Sequence, residues 1–507
     1  MAKRRVSRHV ELERKFDVPG ADQHPTPSFD GLTAVSRADR MPAQSLEAVY
    51  FDTVGHDLAV HRITLRRRTG GPDAGWHLKL PAGAGVRTEM RTALTDGAEV
   101  PAELRDLVAA VVRDRPLGPV ARIATDRDVT MIYDNQGAPL AEFCDDRVTA
   151  STIDPIDGTP GPEQRWREWE LELGEAGLAG GPELLERLGN RLRDAGAAPA
   201  GHGSKLAKIL GDAVAPKFPG GTAIPDDPVH RAVGEQIERL LEWDRAVRTD
   251  ADDAVHQMRV TIRQIRSLLQ ASEEAFGLTD DAWVLTELRE LAAVLGTARD
   301  AEVLAERYRA ALDDLPDDLV RGPVRDRLVE GAHRRYQSGL RRSLNALRSE
   351  RYFRLLDALD GLLSAPAGAE PAAGRRTGGR KAALEAGYRR VRKTTKAFRD
   401  APAGERDAAA HRIRKAAKRL RYVAAATGDA AVAQRCKTVQ TLLGEHQDSV
   451  VSREHLLSRA AAAHAAGEDT FTYGVLYERE AQLAQRCRDQ LGDALRALRR
   501  SVGKALR

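Results

Sequence analysis

The sequence predicts an α+β protein of several domains, with a strand-rich N-terminal part followed by an all-helical remainder. Its 507 residues exceed what one compact core normally holds. Before residue 215, short runs alternate polar and apolar residues between Gly- and Pro-containing turns, a pattern typical of antiparallel strands. After residue 228, Ala-, Leu- and Arg-rich sequence carries apolar residues at helical spacing.

Composition excludes several classes of protein. Hydrophobic residues make up 42% of the chain, which is enough for globular folding rather than disorder. Cys144, Cys436 and Cys487 are odd in number and form no CxxC pair, so neither a disulfide framework nor a zinc site is expected. No apolar run reaches 18 residues and no signal peptide follows the basic start, so we expect a cytoplasmic protein without a membrane span.

The N-terminal part contains strands whose charged residues share a face. Alternate side chains of a strand point to the same side. The runs that show this are 9–16, 63–68, 75–80, 86–91 and 166–173, and a helical stretch, 182–196, closes the part. The first and last of these runs concentrate carboxylates, whereas 63–68 concentrates arginines.

Two readings of these charged faces stay open. An antiparallel sheet with one face in water shows the same alternation. If the sheet instead closes with its charged faces inward, acids and bases line one cavity. Carboxylates suit hard cations such as Mg²⁺ or Mn²⁺, and arginine suits phosphate oxygens. Such a cavity would bind a metal-chelated polyphosphate.

Two Pro- and Gly-rich breaks divide the rest of the chain. Residues 215–228 are predicted to be a linker, and residues 364–379 are predicted to separate two helical halves, 229–363 and 380–505.

The two helical halves repeat one another. A histidine, His256 or His411, is followed at +3, +7 and +10 by three basic residues in each half. Further on, LGTARD ends in Asp300 and LGEHQD ends in Asp448. We interpret the pair as a duplicated helical unit. Gln447 stands where the first half has Arg299, so unequal contributions are expected.

Each repeated set forms a basic ridge, because these offsets keep side chains on one stripe of a helix. Solvated helix faces are the ordinary interpretation of Arg-rich helices. Like charges stacked at this spacing repel, however, and a bound polyanion would neutralise them. Nucleic acid is an unlikely partner, since aromatic residues for base stacking make up only 5% of the chain.

Residues 6–210 resemble the CYTH superfamily, the triphosphate tunnel metalloenzymes. The matching segments, in order, are ELERK (11–15), YFDT (50–53), LRRR (65–68), WHLKL (76–80), RTE (87–89), DD (145–146), ELEL (170–173) and SK (204–205). The resemblance implies an antiparallel β-barrel tunnel, spanning a domain of residues 6–214, that cleaves or builds on triphosphate groups with Mg²⁺ or Mn²⁺. Inorganic triphosphate, polyphosphate, thiamine triphosphate, RNA 5′ ends and ATP all stay open as substrates.

The CYTH resemblance also implies roles for individual residues. The implied metal ligands are Glu11, Glu13, Glu170, Glu172 and Asp146. The implied phosphate-binding residues are Lys15, Arg66, Arg68, Lys79, Arg87, Arg127 and Lys205. Glu89 and Glu142 are implied as acids of the tunnel wall.

The helical part, residues 229–505, resembles the CHAD domain, the conserved-histidine α-helical domain, through VHQMRVTIRQIRSLL, LGTARD, HRIRKAAKRLRY and LGEHQD. The resemblance implies an all-helical module that binds inorganic polyphosphate and associates with polyphosphate granules. The implied binding residues are His256, Arg259, Arg263, Arg266, Arg299, His411, Arg414, Lys415, Lys418 and Arg421.

Two functions follow from these patterns. In the first, the tunnel hydrolyses triphosphate or short polyphosphate while the helical module holds the chain. In the second, the protein only binds polyphosphate on granules. The acidic residues favour the enzyme, because phosphate binding alone does not need the four carboxylates of Glu11, Glu13, Glu170 and Glu172.

Overall fold

The structure, a computed structural model, describes residues 6–19, 25–83, 85–95, 97–214, 228–271, 276–279, 282–364, 379–426 and 428–506. The predicted linker lies outside the described residues except for its last position, and the predicted break between the halves does so except for its two ends. The chain forms two compact units. One contains residues 1–292 and 344–366, and the other contains residues 293–343 and 367–507.

The described residues of the first unit form ten strands, all paired antiparallel. They are β1 Ser7–Asp17, β2 Arg37–Arg40, β3 Gln44–Asp52, β4 Thr64–Thr69, β5 Gly75–Pro81, β6 Val86–Thr92, β7 Gly118–Tyr133, β8 Pro139–Thr152, β9 Gln164–Leu173 and β10 Ala198–Pro199.

Eight of these strands close into a barrel. The order is β1-β6-β5-β4-β3-β7-β8-β9, and β9 pairs again with β1, which removes both sheet edges. β2 extends β7 outside the ring, and β10 adds two residues beside β1. Barrel closure confirms the fold that the CYTH resemblance implied, and it decides between the two readings of the charged strand faces.

The apolar faces of the strands form a core outside the barrel. On β1, Leu12 and Phe16 alternate with the charged residues and pack with Trp169 of β9. Helix α5, Gly181–Asp194, covers this face with leucines spaced three and four residues apart, including Leu188 and Leu192. Burying each such leucine contributes about 1.5–3 kcal/mol. The apolar residues therefore hold the charged faces inward.

The other helices of the chain are short around the barrel and long after residue 228. They are α1 Asp57–Val60, α2 Ala102–Leu107, α3 Ala109–Val112, α4 Glu175–Leu178, α6 Lys205–Leu210, α7 Pro228–Arg248, α8 Ala254–Ala271, α9 Trp283–Asp313, α10 Gly331–Leu347, α11 Glu350–Ser364, α12 Gly379–Arg399, α13 Arg406–Ala426, α14 Ala430–Ala465 and α15 Phe471–Ala505. The predicted helical region and the helix predicted at 182–196 are thereby confirmed.

Two apolar clusters lie among the described residues of the second unit. Leucines and alanines of α12, α13, α14 and α15 form one of them, around Ile413 and Leu443. Tyr308, Leu328 and Tyr473 belong to the other, nearer the end of α14. None of the described helices combines the length and the apolar character that crossing a bilayer requires.

The first unit includes helices on both sides of the predicted linker. Arg248 of α7 pairs with Asp106 of α2 at 3.0 Å, and Arg113 pairs with Asp357 and Asp360 of α11. The predicted domain bounds, 6–214 and 229–505, stay a prediction.

Candidate active site in the barrel

Strand β1 places three charged side chains inside the barrel. Its register sets Glu13 opposite Glu172 and Lys15 opposite Glu170 of β9. Glu11 is 2% exposed and pairs with Lys79 of β5 at 2.6 Å. The alternation that buries the apolar residues against α5 therefore turns these charged groups toward the barrel axis.

Basic residues converge in one part of the interior. A small cavity of about 20 Å³ is lined by Arg66 and Arg68 of β4, Arg127 of β7, Lys205 of α6 and Tyr50 of β3. Burial, together with Arg66 and Arg127, lowers the pKa of the Arg68 guanidinium. Such crowding of like charges favours an anion between them.

Three carboxylates surround the Lys205 ammonium group. Its Nζ atom lies 2.8 Å from Asp146, 2.9 Å from Glu168 and 2.7 Å from Glu170. One oxygen of each acid lies within 4.8 Å of the others. Ser204 caps the N-terminus of α6 by accepting a hydrogen bond from the Ala207 N–H, which fixes where Lys205 enters the barrel.

Arg127 holds two of the same acids. It donates two hydrogen bonds of 2.7 Å to the two oxygens of Asp146 and one of 2.6 Å to Glu170. Burial opposes ionisation of Asp146, but Lys205 and Arg127 lower its pKa. The neighbouring Asp145 points to the other side of β8, where Arg167 pairs with it at 2.7 Å.

A second group of acids in the interior consists of Glu11, Glu13 and Glu172. Burial raises the pKa of Glu172 to about 7, and Glu11 and Glu13 add to this effect, although Lys79 opposes it. Burial would also raise the pKa of Glu13, but Lys15 and Lys79 lower it to about 2. An acid held near pKa 7 among other carboxylates is the electrostatic situation that a cation relieves.

The carboxylates fit a hard divalent cation. Asp146, Glu168 and Glu170 offer oxygen donors at mutual distances that one ion could bridge. They are satisfied by Lys205 and Arg127 instead, so a cation would have to take these acids from the two basic groups. The trio contains no sulfur or nitrogen ligand, which favours Mg²⁺ or Mn²⁺ over zinc.

A cavity of about 900 Å³ reaches this interior from one end. Glu13, Lys15, Arg87, Ser204 and Lys208 are among the residues that line it. A phosphate chain entering here would meet basic groups before the three-carboxylate cluster.

Family comparisons match both parts of the chain. A CYTH domain matches residues 9–192, and a CHAD domain matches residues 231–457. The chain is a CYTH–CHAD protein. It is 60% identical over 514 aligned residues to Uncharacterized protein Rv2226 of Mycobacterium tuberculosis (strain ATCC 25618 / H37Rv), covering 99% of this chain and 98% of that one. Uncharacterized protein MT2285 of strain CDC 1551 / Oshkosh matches equally, so all three belong to one family.

Solved structures match the CYTH–CHAD protein in part. The CHAD domain from the plant Ricinus communis is 24% identical, with a TM-score of 0.42, over 53% of this chain and 90% of that one. The putative adenylyl cyclase HpAC1 from Hippeastrum, described as having a dominant triphosphatase activity, is 20% identical, with a TM-score of 0.24, over 39% of this chain and 94% of that one.

The two domains indicate the class of activity of this CYTH–CHAD protein. Its CYTH domain, residues 9–192, places it in a family of tunnel-type, metal-dependent phosphoryl hydrolases and cyclases. The buried acids Asp146, Glu168 and Glu170 provide a place for such a metal. The CYTH and CHAD domains together fit a tunnel enzyme of the triphosphatase type.

The structure brings the predicted tunnel residues into one interior. Asp146 and Glu170 lie in the three-carboxylate cluster, whereas Glu11, Glu13 and Glu172 lie outside it. The predicted cations that contact acids of the interior are Lys15, Lys79, Arg87, Arg127 and Lys205. Of the other predicted residues, Arg66 donates to the Tyr50 hydroxyl at 3.3 Å, Arg68 pairs with Asp73, Glu89 pairs with His77 at 2.9 Å, and Glu142 accepts from Cys144 at 3.2 Å. Their roles as ligands stay predictions.

From the sequence, no role in the site was assigned to three residues of the interior. Glu168 completes the three-carboxylate cluster, Tyr50 shares the basic cavity, and His77 is buried against Glu89. Glu168 lies two positions before Glu170 and so shares its face of β9, a signal that the alternation already contained.

The predicted CHAD residues lie on α8, α9 and α13. Arg263 and Lys415 are exposed, and the other eight are half-buried. In the second unit, Arg414 lies against Gly444 of α14, Arg299 pairs with Glu302 at 2.8 Å, and Lys418 and Arg421 flank the Tyr422 ring at 5.8 and 5.2 Å. A shared groove between the two ridges stays a prediction, because the ridges belong to different units.

Proposed function

We propose that the barrel hydrolyses triphosphate or short polyphosphate with Mg²⁺ or Mn²⁺, and that the helical domain binds inorganic polyphosphate. The observation that carries the first part is the three-carboxylate cluster around Lys205, next to the basic cavity. The four cations that line the basic cavity and the three acids of the cluster suit a substrate that is itself a chelate of phosphates and a cation.

Binding of the substrate exchanges charge partners inside the tunnel. In the structure, Lys205 and Arg127 neutralise Asp146 and Glu170. When phosphate oxygens take up these two cations, the acids lose their partners. They then hold a divalent cation at lower cost, so substrate and metal should bind with positive cooperativity.

The proposed reaction is hydrolysis of a phosphoric anhydride. A water oxygen forms a bond to the terminal phosphorus, the bond from that phosphorus to the bridging oxygen breaks, and the shortened chain leaves with the electron pair. The attacking water releases one proton to solvent. Arg66, Arg127 and Lys205 are placed to stabilise the charge that develops on the phosphate oxygens. A bound metal would supply Lewis-acid polarisation of the phosphate and of the water.

The helical domain is the proposed binding site for long chains. Two ridges, His256/Arg259/Arg263/Arg266 and His411/Arg414/Lys418/Arg421, present like charges at helical spacing, and Lys415 and Arg299 add to them. Inorganic polyphosphate is the proposed partner, and cytoplasmic polyphosphate granules are the proposed location. Attachment to a chain would raise the local concentration of phosphate ends near the barrel.

A second candidate function is polyphosphate binding without catalysis. In that case the barrel would serve as a further phosphate-binding module. The buried acids disfavour this function, because three carboxylates beside a phosphate site oppose anion binding unless a cation joins them.

The test is orthophosphate release by the full chain from triphosphate, long-chain polyphosphate, ATP and thiamine triphosphate, with Mg²⁺ and Mn²⁺ tested separately. The proposed enzyme releases phosphate from triphosphate or short chains only with metal. Binding of all four compounds without any release would leave the non-catalytic function. Binding of nucleic acid in preference to polyphosphate would reject the assignment of the helical domain.

A further inference from the structure

A basic cavity lies in the second unit, and none of the predicted polyphosphate-binding residues is in its lining. Its volume is about 530 Å³. The charged residues that line it are Asp326, Arg327, Arg334, Arg335, Arg459 and Glu468, and Ser338 adds a hydroxyl group. Four arginines against two acids leave a formal charge of +2. A doubly charged anion would neutralise this cavity.

Its two acids are already paired. Glu468 accepts hydrogen bonds from Arg327, and Asp326 lies 3.3 Å from Arg334. Within the part of the chain that the structure describes, neither Arg335 nor Arg459 forms an ion pair with a carboxylate, and the buried Nε of Arg459 has no hydrogen-bond partner. The surplus positive charge therefore belongs to these two residues.

A neutral histidine positions Arg335. Arginine only donates hydrogen bonds, so His455 accepts from Arg335 through Nε2. Its Nδ1 then carries the proton and donates to the Tyr308 hydroxyl at 2.9 Å, which in turn donates to the Ser452 carbonyl at 3.3 Å. Burial, with Arg335 and Arg459 nearby, lowers the pKa of His455 to about 4. This chain orients the Arg335 guanidinium without neutralising it.

Further features of the cavity suit an anion. Burial and the charge of Arg459 lower the pKa of Arg335, so the two cations repel each other. A π-helical turn, Asp326–Glu330, forms part of the wall, and such turns are frequent at functional sites. The buried hydroxyl of Tyr473, near Arg327 and Arg459, has no hydrogen-bond partner among the described residues.

The cavity is separate from the second basic ridge. Arg414 of that ridge lies against Gly444 of α14, whereas Arg459 lies fifteen residues further along the same helix. At 1.5 Å per residue, this places the two about 22 Å apart along the helix axis. A ligand here is not part of the ridge.

We propose that this cavity binds a phosphate group, either free orthophosphate or the end of a phosphate chain, with Arg335 and Arg459 as its principal ligands. A tetrahedral dianion matches the charge of the cavity, and guanidinium groups match its oxygens. Ser338 supplies a hydroxyl donor. The tunnel takes no part in this site, so loss of hydrolysis would leave the site intact.

The test is hydrogen exchange followed by mass spectrometry on the full chain, with inorganic phosphate as the probe. Phosphate should slow exchange in segments 323–338 and 455–470 of the wild type. In Arg459→Gln the phosphate concentration needed for this protection should rise about tenfold or more, since a charge-assisted hydrogen bond is lost. Arg500→Gln, which removes an exposed charge of the same unit, should behave as wild type.

Two further arms keep the test decisive. Polyphosphate with free ends and polyphosphate with both ends blocked as esters distinguish the two sources of the phosphate group. Protection by orthophosphate, or only by chains with free ends, supports the site. Equal protection in wild type and Arg459→Gln, or none with either probe, overturns it. Without phosphate, Arg459→Gln should unfold at an unchanged or higher temperature, because repulsion with Arg335 is removed; a clear fall would indicate a structural arginine and also count against the site.

Discussion

Replacement of Lys205 by methionine tests the charge balance of the tunnel. Lys205 is 7% exposed and forms ion pairs of 2.7–2.9 Å with Asp146, Glu168 and Glu170. Methionine keeps the length of the side chain and removes the charge. Among the described residues, Arg127 and Lys15 are then the basic groups that still pair with the three acids.

The expected loss is large. Removing one partner of a buried ion pair costs about 3–5 kcal/mol, because the remaining charge is uncompensated. We therefore expect Lys205→Met to lower the free energy of unfolding by this amount in EDTA. A divalent cation at 100 times its dissociation constant restores about 2.7 kcal/mol through binding to the folded state. The variant should consequently gain more stability from Mg²⁺ or Mn²⁺ than the wild type gains.

The assay is urea unfolding followed by tryptophan fluorescence, since Trp76, Trp166 and Trp169 report on the barrel. Lys208→Met is the matched control on the same helix. Lys208 pairs with Asp17 at a site where both side chains are partly exposed, and such a pair contributes about 0–1 kcal/mol. Equal stability of the two variants in EDTA, or no extra stabilisation of Lys205→Met by metal, would refute the charge balance described here.

Three other perturbations address the metal site and the ridges. Asp146→Asn should abolish binding of Mn²⁺ measured by calorimetry, whereas Asp145→Asn should keep it while lowering the unfolding temperature, because Asp145 pairs outside the tunnel with Arg167. Metal affinity should rise with pH up to about 7 and level off above it, because the raised pKa of Glu172, about 7, keeps this tunnel acid neutral at lower pH, and its negative charge then adds to the attraction of the cluster for a cation; Glu172→Gln should flatten this profile. Polyphosphate affinity of the full chain should fall steeply with added salt, and replacing Arg259 and Arg263 together by glutamine should remove most long-chain binding without affecting triphosphate release.

Each of these three predictions has an outcome that would contradict it. Equal metal affinity in Asp145→Asn and Asp146→Asn would mean that the cluster holds no metal. A profile for Glu172→Gln that still rises through pH 7 would assign the proton to another group. If the variant with both Arg259 and Arg263 replaced binds long chains as tightly as the wild type does, the polyphosphate site lies elsewhere.

Strand periodicity predicted most of the barrel interior. Polar and apolar residues alternate from Val10 to Glu13 in β1 and from Glu168 to Leu173 in β9, so the faces of Glu13 and Glu170 follow from the sequence alone. In β8, Cys144, Asp145 and Asp146 are all buried. The two adjacent aspartates point to opposite faces of the strand, and the sequence pattern does not show which of them faces the tunnel. Only the pairing of Asp145 with Arg167 and of Asp146 with Arg127 separates the two aspartates.

Contacts between distant helices were beyond prediction. Arg335 and Arg459 are 124 positions apart, on α10 and α14, and no periodic signal links them. The roles of Glu168 and Lys205 depend likewise on where α6 enters the barrel. Local patterns predicted the elements, but the positions of charges around one cavity depend on packing between elements.

The measurement that tests the central claim most directly is orthophosphate release from inorganic triphosphate by the full chain while Mg²⁺ or Mn²⁺ is titrated from zero. Glu13→Gln is measured beside the wild type, with its fold verified by circular dichroism. Glu13 faces the tunnel beside Lys15, and glutamine keeps its shape without its charge. We predict release by the wild type that requires metal, and none by Glu13→Gln. Wild-type-like release by a folded Glu13→Gln, or no release by the wild type at any metal concentration, would contradict the assignment of the barrel as a metal-dependent triphosphatase.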